Sequence, residues 1–271
     1  MKLTSKVAVI LPLYSGDTSK SFRLALRSIL RQSVVVDVFI VIDGPLANDL
    51  YHVLNSFKDY ITQIHLEKNV GLARALNYAI GEIDLAQYEF IARMDADDFS
   101  VSCRIFKQIE YMNKYSLDVC GSDFFIFDNS RNRQYVTMPK SVDKMRQNII
   151  LMSPMCHPSV MFRSSVLQKE RYPINTYFQE DYRLWVKLLK KGYKLGNVPQ
   201  PLLYFRFSDK TQRRRTNVKK LTADLRDRLH ALEVFSGSKT YGYFQIFFKF
   251  TTIFLLGRVY KHLIKFRNKL V

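Results

Sequence analysis

The sequence predicts an α/β fold: a mostly parallel, mixed sheet flanked by helices, with a helical basic and aromatic C-terminal tail. Three observations carry this expectation. In the first 100 residues, short apolar runs alternate with helix-period segments in the order βαβαβαβ, which implies crossover connections and parallel strands. The runs end in polar or turn-forming groups at 14–17, 43–45 and 95–98, and open sheets of this kind bind ligands beyond the carboxyl ends of their strands. Hydrophobic residues make up 47% of the 271, enough for one large core.

Each element has a local cause. Lys6 to Tyr14 is almost wholly apolar and ends at Gly16, the pattern of a strand buried on both faces. Ser19 or Ser21 caps a helix to Arg31, with Phe22, Leu26, Ile29 and Leu30 on its apolar face. Val34 to Ile42 is a second β-branched run, stopped by Asp43-Gly44-Pro45. Leu46 to Tyr60 reads as helix and Gln63 to Leu66 as a third strand. Asn69-Val70-Gly71 breaks the chain before a helix from Leu72 to Ile80, and Tyr88 to Met94 supplies a fourth strand.

That last strand runs into Asp95, Asp97 and Asp98. Carboxylates so crowded repel one another and are solvated, used as caps or neutralised by a cation. Two readings stand side by side: Asp98 or Ser100 caps a helix from Val101 to Tyr115, or the cluster binds metal. Asp43 before Gly-Pro is a good turn residue whatever its function, Asn69 and Gly71 suit a left-handed turn, and Arg74 and Asn77 suit a solvated helix face. Glu180 and Asp181 precede Tyr182, Leu184, Trp185 and Leu188, as acids favoured in a first helical turn do. A lone histidine such as His157 is more often a satisfied core residue than a ligand.

The formal charge is +18, and the span Arg206 to Val271 holds 16 Lys or Arg against 4 Asp or Glu, a net of +12. An anionic partner for the tail follows, nucleic acid or an anionic membrane surface. Cys103, Cys120 and Cys156 are odd in number and widely spaced, which argues against a disulfide framework or a zinc site and for a reducing compartment. Val7 to Leu13 is too short for a signal-peptide core, so a cytoplasmic location is expected.

Taken in series, Val9 to Tyr14, Val41 to Gly44, Asn69 to Asn77, Arg93 to Asp98, Cys156 to Arg163 and Glu180 to Trp185 resemble the motifs of family-two glycosyltransferases. More narrowly, they are similar to bacterial enzymes that build O-antigen or exopolysaccharide repeat units. The resemblance spans about residues 5–208 and implies the GT-A nucleotide-diphospho-sugar transferase fold. It divides the chain into a glycosyltransferase domain at 1–208, with a nucleotide-binding half at 1–100 and an acceptor half at 101–208, and a tail at 209–271.

The resemblance also implies roles. Asp97 is the metal ligand, and Asp95 faces the ribose and the metal. The metal is divalent, Mn2+ or Mg2+. Asp43 reads the base of a UDP-sugar, in a pocket lined by Pro12 and Tyr14, and Asn69 and Arg74 also serve the nucleotide-sugar. Arg93 offsets the carboxylates or contacts phosphate. Asp181 is the catalytic base and Glu180 orients it, while His157 and Trp185 lie on the acceptor side. Arg206 is kept from a family Arg-x-His pattern, but Ser208 stands in place of the histidine. The implied reaction is an inverting hexosyl transfer, galactose or glucose in β-1,3 linkage, to N-acetylglucosamine-diphospho-undecaprenol.

Beyond Ser208 come Lys210 and Arg213 to Arg215, a helix from about Asn217 to Phe235, and a Tyr- and Phe-rich segment from Tyr241 to Leu256 interrupted by Lys249. Aromatics mixed with Lys and Arg suit a helix lying in an anionic membrane interface. Core packing ranks second and a spanning helix third. The protein is therefore expected on the cytoplasmic face of the inner membrane, without nucleic acid as a partner. A nucleic-acid-binding role would leave the carboxylates at strand ends unexplained. A phosphatase or nucleotidyltransferase would need a nucleophile or a Gly-rich loop after the first strand, and Leu13-Tyr14-Ser15-Gly16 supplies neither.

Overall fold

The structure, a computed structural model, describes residues 6–128, 133–207, 218–235 and 239–255. Helices alternate with four parallel strands in the first part: β1 (Val7–Leu13), α1 (Ser19–Leu30), β2 (Asp37–Asp43), α2 (Asn48–Ser56), β3 (Ile61–Leu66), α3 (Leu72–Glu82) and β4 (Phe90–Arg93). A two-residue strand, β5 (Phe99–Ser100), and α4 (Arg104–Tyr115) follow. The second part contains β6 (Val119–Phe127), β7 (Arg133–Val136), α5 (Val142–Asn148), β8 (Met161–Arg163), α6 (Ser164–Lys169), α7 (Glu180–Lys190) and β9 (Leu195–Arg206). Two helices, α8 (Val218–Phe235) and α9 (Lys239–Leu255), complete it.

The sheet runs in the order β3-β2-β1-β4-β8-β6-β9-β5, with β7 paired to β6. The pairs β3-β2, β2-β1 and β1-β4 are parallel. Beyond β4 the sheet becomes mixed, because β8 lies antiparallel between β4 and β6. Burial on both faces explains the continuous apolar run of β1. Val7, Val9, Leu11 and Leu13 pack with Phe22, Leu26, Leu50 and Ile105 from α1, α2 and α4. Ala8 and Ile10 pack on the other face with Ala75, Leu76, Ala79 and Ile80 of α3.

Two expectations change. The helix after the aspartates starts at Arg104, with Cys103 at its N-cap and no side-chain capping bond. Neither Asp98 nor Ser100 caps it, because β5 first draws the chain into the sheet by pairing Phe99 with Tyr204 and Ser100 with Leu203. The second strand begins at Asp37 rather than Val34, and Val35 is 90% exposed.

The tail helices belong to the same core. Ala231 and Leu232 of α8 and Ile246 of α9 join the cluster that holds Trp185 and Leu188. Gly242 permits the crossing of α8 and α9, since a Cβ there would fall 2.0 Å from Leu232 Cδ1. Yet Tyr241, Tyr243, Phe244, Phe247 and Phe248 remain 47–69% exposed. Among the described residues no helix is long and apolar enough to cross a membrane. Ser208, the basic run 210–215 and the cations beyond 256 lie outside the described residues.

Candidate active site

The polar ends of β1, β2 and β4 come together because these strands are parallel neighbours. At the end of β2, Asp43 is buried and shapes the adjacent loop. Its Oδ1 accepts from the Val70 amide at 2.7 Å and its Oδ2 from the Gly71 amide at 3.1 Å, while its carbonyl accepts from Asn69 Nδ2 at 3.2 Å. Gly44, at φ +85°, allows that approach: a Cβ would lie 2.5 Å from the Asn69 nitrogen. The 69–71 turn is therefore docked on the strand end rather than free. Pro12 sits near the end of β1, and the Tyr14 amide donates to Asp17 Oδ2 at 3.1 Å. Arg74 is exposed on α3 and donates to Asn175 Oδ1 at 2.7 Å, so it already reaches the segment that leads to Glu180.

At the end of β4 the three aspartates converge. Asp95, Asp97 and Asp98 each present a carboxylate oxygen, all within 4.8 Å of one another. Burial first, then the Asp95 charge, holds Asp97 up at about 6. Burial and the charges of Asp95 and Asp97 push Asp98 well above the usual carboxylate range. Asp98 Oδ1 accepts from the Arg206 amide at 2.8 Å, and Arg206 Nε donates to the Asp97 carbonyl at 2.9 Å. Asp98 Oδ2 is buried with no hydrogen-bond partner among the described residues. Clustered hard oxygen donors, two of the carboxyls raised by burial and neighbouring charge and one oxygen orphaned, fit a divalent cation of the Mg2+ or Mn2+ type.

Arg93 connects this cluster to the acidic pair. It is buried and paired with Asp95. Burial opposes its charge, but Asp95, Tyr172, Asp98 and Asp181 together outweigh burial and raise its pKa. Asp95 and Asp181 thus act on one guanidinium from two parts of the chain. Glu180 and Asp181 form the first turn of α7, where a helix dipole favours acids. Burial first, then Asp181, raises the Glu180 carboxyl. Its Oε2 accepts from Thr176 Oγ1 at 3.5 Å, and Asp181 Oδ1 accepts from the Tyr182 amide at 2.7 Å.

Behind these groups, His157 Nε2 lies 3.0 Å from Tyr172 Oη. Burial, and then Arg93, pushes the His157 pKa well below its ordinary value, so the imidazole is neutral. Trp185 is 0% exposed, its ring stacked on Phe162 at 5.9 Å and edge-on to His157 at 6.0 Å. The expected acceptor contact at Trp185 is thereby corrected: the residue packs behind His157 in the core and presents no surface to a bound molecule.

Two supporting residues, Arg104 and Tyr172, were not singled out from the sequence, and a third, Asn77, was read only as a solvated helix position. Arg104, fully buried, donates to the Arg93 carbonyl at 2.7 Å and to Gln108 Oε1 at 3.0 Å, anchoring the strand end below the aspartates. Asn77 is no solvated helix residue: its Nδ2 donates to the Tyr172 carbonyl at 2.8 Å and its Oδ1 accepts from the Tyr172 amide at 2.9 Å. Burial is the largest influence on the Tyr172 hydroxyl, which is also within electrostatic reach of Arg93, Asp181, Glu180 and Asp95. Arg104 and Tyr172 left no local sequence signal, since their partners come from other elements of the fold.

Residues 8–171 match the family described as Glycosyl transferase family 2. The chain belongs to that family. It is a glycosyltransferase, and it resembles curated bacterial relatives along most of their length. One is the "UDP-Gal:alpha-D-GlcNAc-diphosphoundecaprenol beta-1,3-galactosyltransferase" of Escherichia coli, 29% identical over 232 residues, covering 84% of this chain and 83% of the relative. Another is the amylovoran biosynthesis glycosyltransferase AmsE of Erwinia amylovora, 29% identical over 214 residues, with 77% and 79% covered. The glycosyltransferase also superimposes on Staphylococcus aureus TarS in complex with UDP, with a TM-score of 0.64 at 16% identity, covering 94% of this chain and 73% of that one. Against the Pyrobaculum calidifontis mannosyltransferase PcManGT, in complex with GDP-Man and Mn2+, the TM-score is 0.62 at 13% identity, with 97% and 79% covered. The fold is therefore GT-A, its curled mixed sheet flanked by helices.

Proposed function

We propose that this glycosyltransferase moves a hexose, galactose or glucose, from a UDP-sugar to a lipid-linked sugar acceptor, N-acetylglucosamine-diphospho-undecaprenol, forming a β-1,3 linkage with inversion. The observation that carries the chemistry is the placing of two acidic sets, Asp95 to Asp98 and Glu180–Asp181, within electrostatic reach of Arg93. The E. coli and Erwinia relatives support the choice of donor and acceptor. Asp97 and Asp95 would hold a divalent ion, Mn2+ or Mg2+, with Asp98 beside them. Bound there, such an ion supplies positive charge against the departing diphosphate.

The chain's own groups do the rest. Asp181 takes the acceptor hydroxyl proton as the oxygen bonds to the anomeric carbon and the bond from that carbon to the diphosphate oxygen breaks. Glu180, whose carboxyl is raised by burial and then by the Asp181 charge, orients Asp181 or touches the acceptor. Arg93 balances the carboxylates, and neutral His157 supports the acceptor side through Tyr172. Asp43, with the 69–71 loop it fixes, forms the base pocket with Pro12 and Tyr14. Residues 1–208 supply this machinery, and 209–271 bring it to the cytoplasmic face of the inner membrane. There the exposed aromatics of α9 would lie among the headgroups of an anionic membrane surface.

A panel of UDP-sugars, tested with N-acetylglucosamine-diphospho-lipid, is the direct experiment. UDP-galactose or UDP-glucose should give a β-1,3 product by NMR, abolished by chelator. Full activity in chelator removes the metal from this reading, and an α-linked product removes inversion. Replacing Phe244, Phe247 and Phe248 by Ser should lower sedimentation with phosphatidylglycerol vesicles while leaving the rate on a water-soluble acceptor unchanged.

A further inference from the structure

Glu180 and Asp181 occupy the first turn of α7, and the residues around them on the opposite side of that helix all meet α8. Gln179, the N-cap, is buried and donates Nε2 to Asp224 Oδ1 at 3.4 Å. The Arg228 guanidinium lies 5.0 Å from the Tyr182 ring centroid, and Arg228 and the Tyr182 hydroxyl share the Ile149 carbonyl at 3.2 and 2.9 Å. Arg183 grips Asp227 with two bonds, Nε to Oδ2 at 2.8 Å and Nη2 to Oδ1 at 2.7 Å. Just before the turn, Lys220 Nζ donates to the Phe178 carbonyl at 3.1 Å. Phe178 holds φ 55°, an unfavourable conformation for a bulky residue.

Helical geometry gives these contacts a direction. At 3.6 residues per turn, positions 182, 179 and 183 share one wedge roughly 100° wide, and position 181 falls on the far side. The α8 helix therefore backs the turn whose other side carries Asp181. Its contact face is also unusual in kind, since Asp227 and Arg228 are nearly fully buried and sit beside the apolar Ala231 and Leu232. Apolar packing alone would hold two helices together while permitting small slides. Buried charges are costly unless paired with good geometry, and their use here restricts the register.

We infer that α8 is a positioning element for glycosyl transfer, with Asp227 and Asp224 fixing the first turn of α7 so that Glu180 and Asp181 face Arg93. This rests on reading that pair as the acceptor-side acids. Asp224 also meets Lys249 of α9 at 3.6 Å, so the exposed aromatic helix is tied to the same joint.

The test is steady-state kinetics of the full chain, with UDP-sugar and acceptor varied separately and Tm recorded. The variants are Asp227→Ala, Arg183→Ala and the exchanged pair Arg183→Glu with Asp227→Arg. Each single change should lower kcat about tenfold or more, because small misplacements of reacting groups are costly, while KM for the UDP-sugar stays within about twofold. The exchanged pair should recover at least part of kcat. Wild-type kcat in both single variants overturns the inference, as does a fall in kcat matched by an equal loss of UDP-sugar binding. If a single variant fails to fold, Lys220→Ala replaces it, with the same split expected at about two- to threefold and unchanged kcat overturning the idea. Asp181→Asn is run alongside. Wild-type kcat there rejects the reading of the acidic pair and this inference with it, whereas an inactive Asp181→Asn beside fully active α8 variants rejects the inference alone.

Discussion

The two acidic sets are held by different kinds of structure. Asp95 to Asp98 follow a strand buried on both faces and rest on main-chain supports: the Arg93 carbonyl held by Arg104, and the Arg206 amide on Asp98. Glu180 and Asp181 begin a helix that meets α8 through side-chain contacts, the Arg183–Asp227 pair among them. On the proposed reading the first set is the donor side, built into the sheet where a charged diphosphate and a cation would need fixed groups. The second is then the acceptor side, backed through side chains that single substitutions can remove.

The largest effects should separate the two halves. Asp97→Ala and Asp181→Asn should each reduce transfer on the order of 10²–10³-fold. Calorimetric titration with UDP and Mn2+ should show weakened binding for Asp97→Ala and wild-type binding for Asp181→Asn. Equal losses of UDP affinity in both would erase the distinction drawn here.

Acidity offers a second probe of the donor side. Burial, and then the Asp95 charge, holds the Asp97 carboxyl up at about 6, above the usual carboxylate value, so a cation binding there would compete with a proton. Manganese affinity should therefore fall by roughly tenfold per pH unit below about 6 and level off above it. A flat affinity between pH 5 and 7 would place the cation elsewhere. By the same sign, the stability that Asp97 contributes is fully present below the ordinary carboxylate pKa and lost as pH rises through about 6.

A smaller effect concerns the donor side itself. Asp43→Ala removes the partner of the part-buried Val70 and Gly71 amides, at about 0.5–1.5 kcal/mol for each hydrogen bond lost, measurable by urea denaturation together with weaker UDP binding. Smallest of all should be Trp185→Phe. The indole nitrogen has no hydrogen-bond partner among the described residues, so the change should cost about 1 kcal/mol in packing and leave the acceptor KM within about twofold. A tenfold rise in that KM without loss of stability would restore an acceptor role to Trp185.

Much of the donor side is legible in local sequence. Strands buried on both faces must be continuously apolar, so β1 and β4 stand out, and crowded aspartates at the end of β4 mark a point where solvation, capping or a cation must offset their repulsion. The same local view leaves capping by Asp98 or Ser100 open, since only β9, arriving from far along the chain, pulls residues 99–100 into the sheet. It misjudges Trp185, because an aromatic near an acidic pair looks alike whether it faces a substrate or the core.

By itself the sequence determined the strand and helix order, the parallel sheet and the acidic groups at strand and helix ends. These follow from periodicity, turn chemistry and charge within a few residues. Only the tertiary structure decided that Asp98 bonds the Arg206 amide 108 positions away, that Arg93 stands between two acidic sets, and that α8 backs the helix of Glu180 and Asp181. Those choices rest on desolvation and paired charge, which act between neighbours in space and leave no period in the chain.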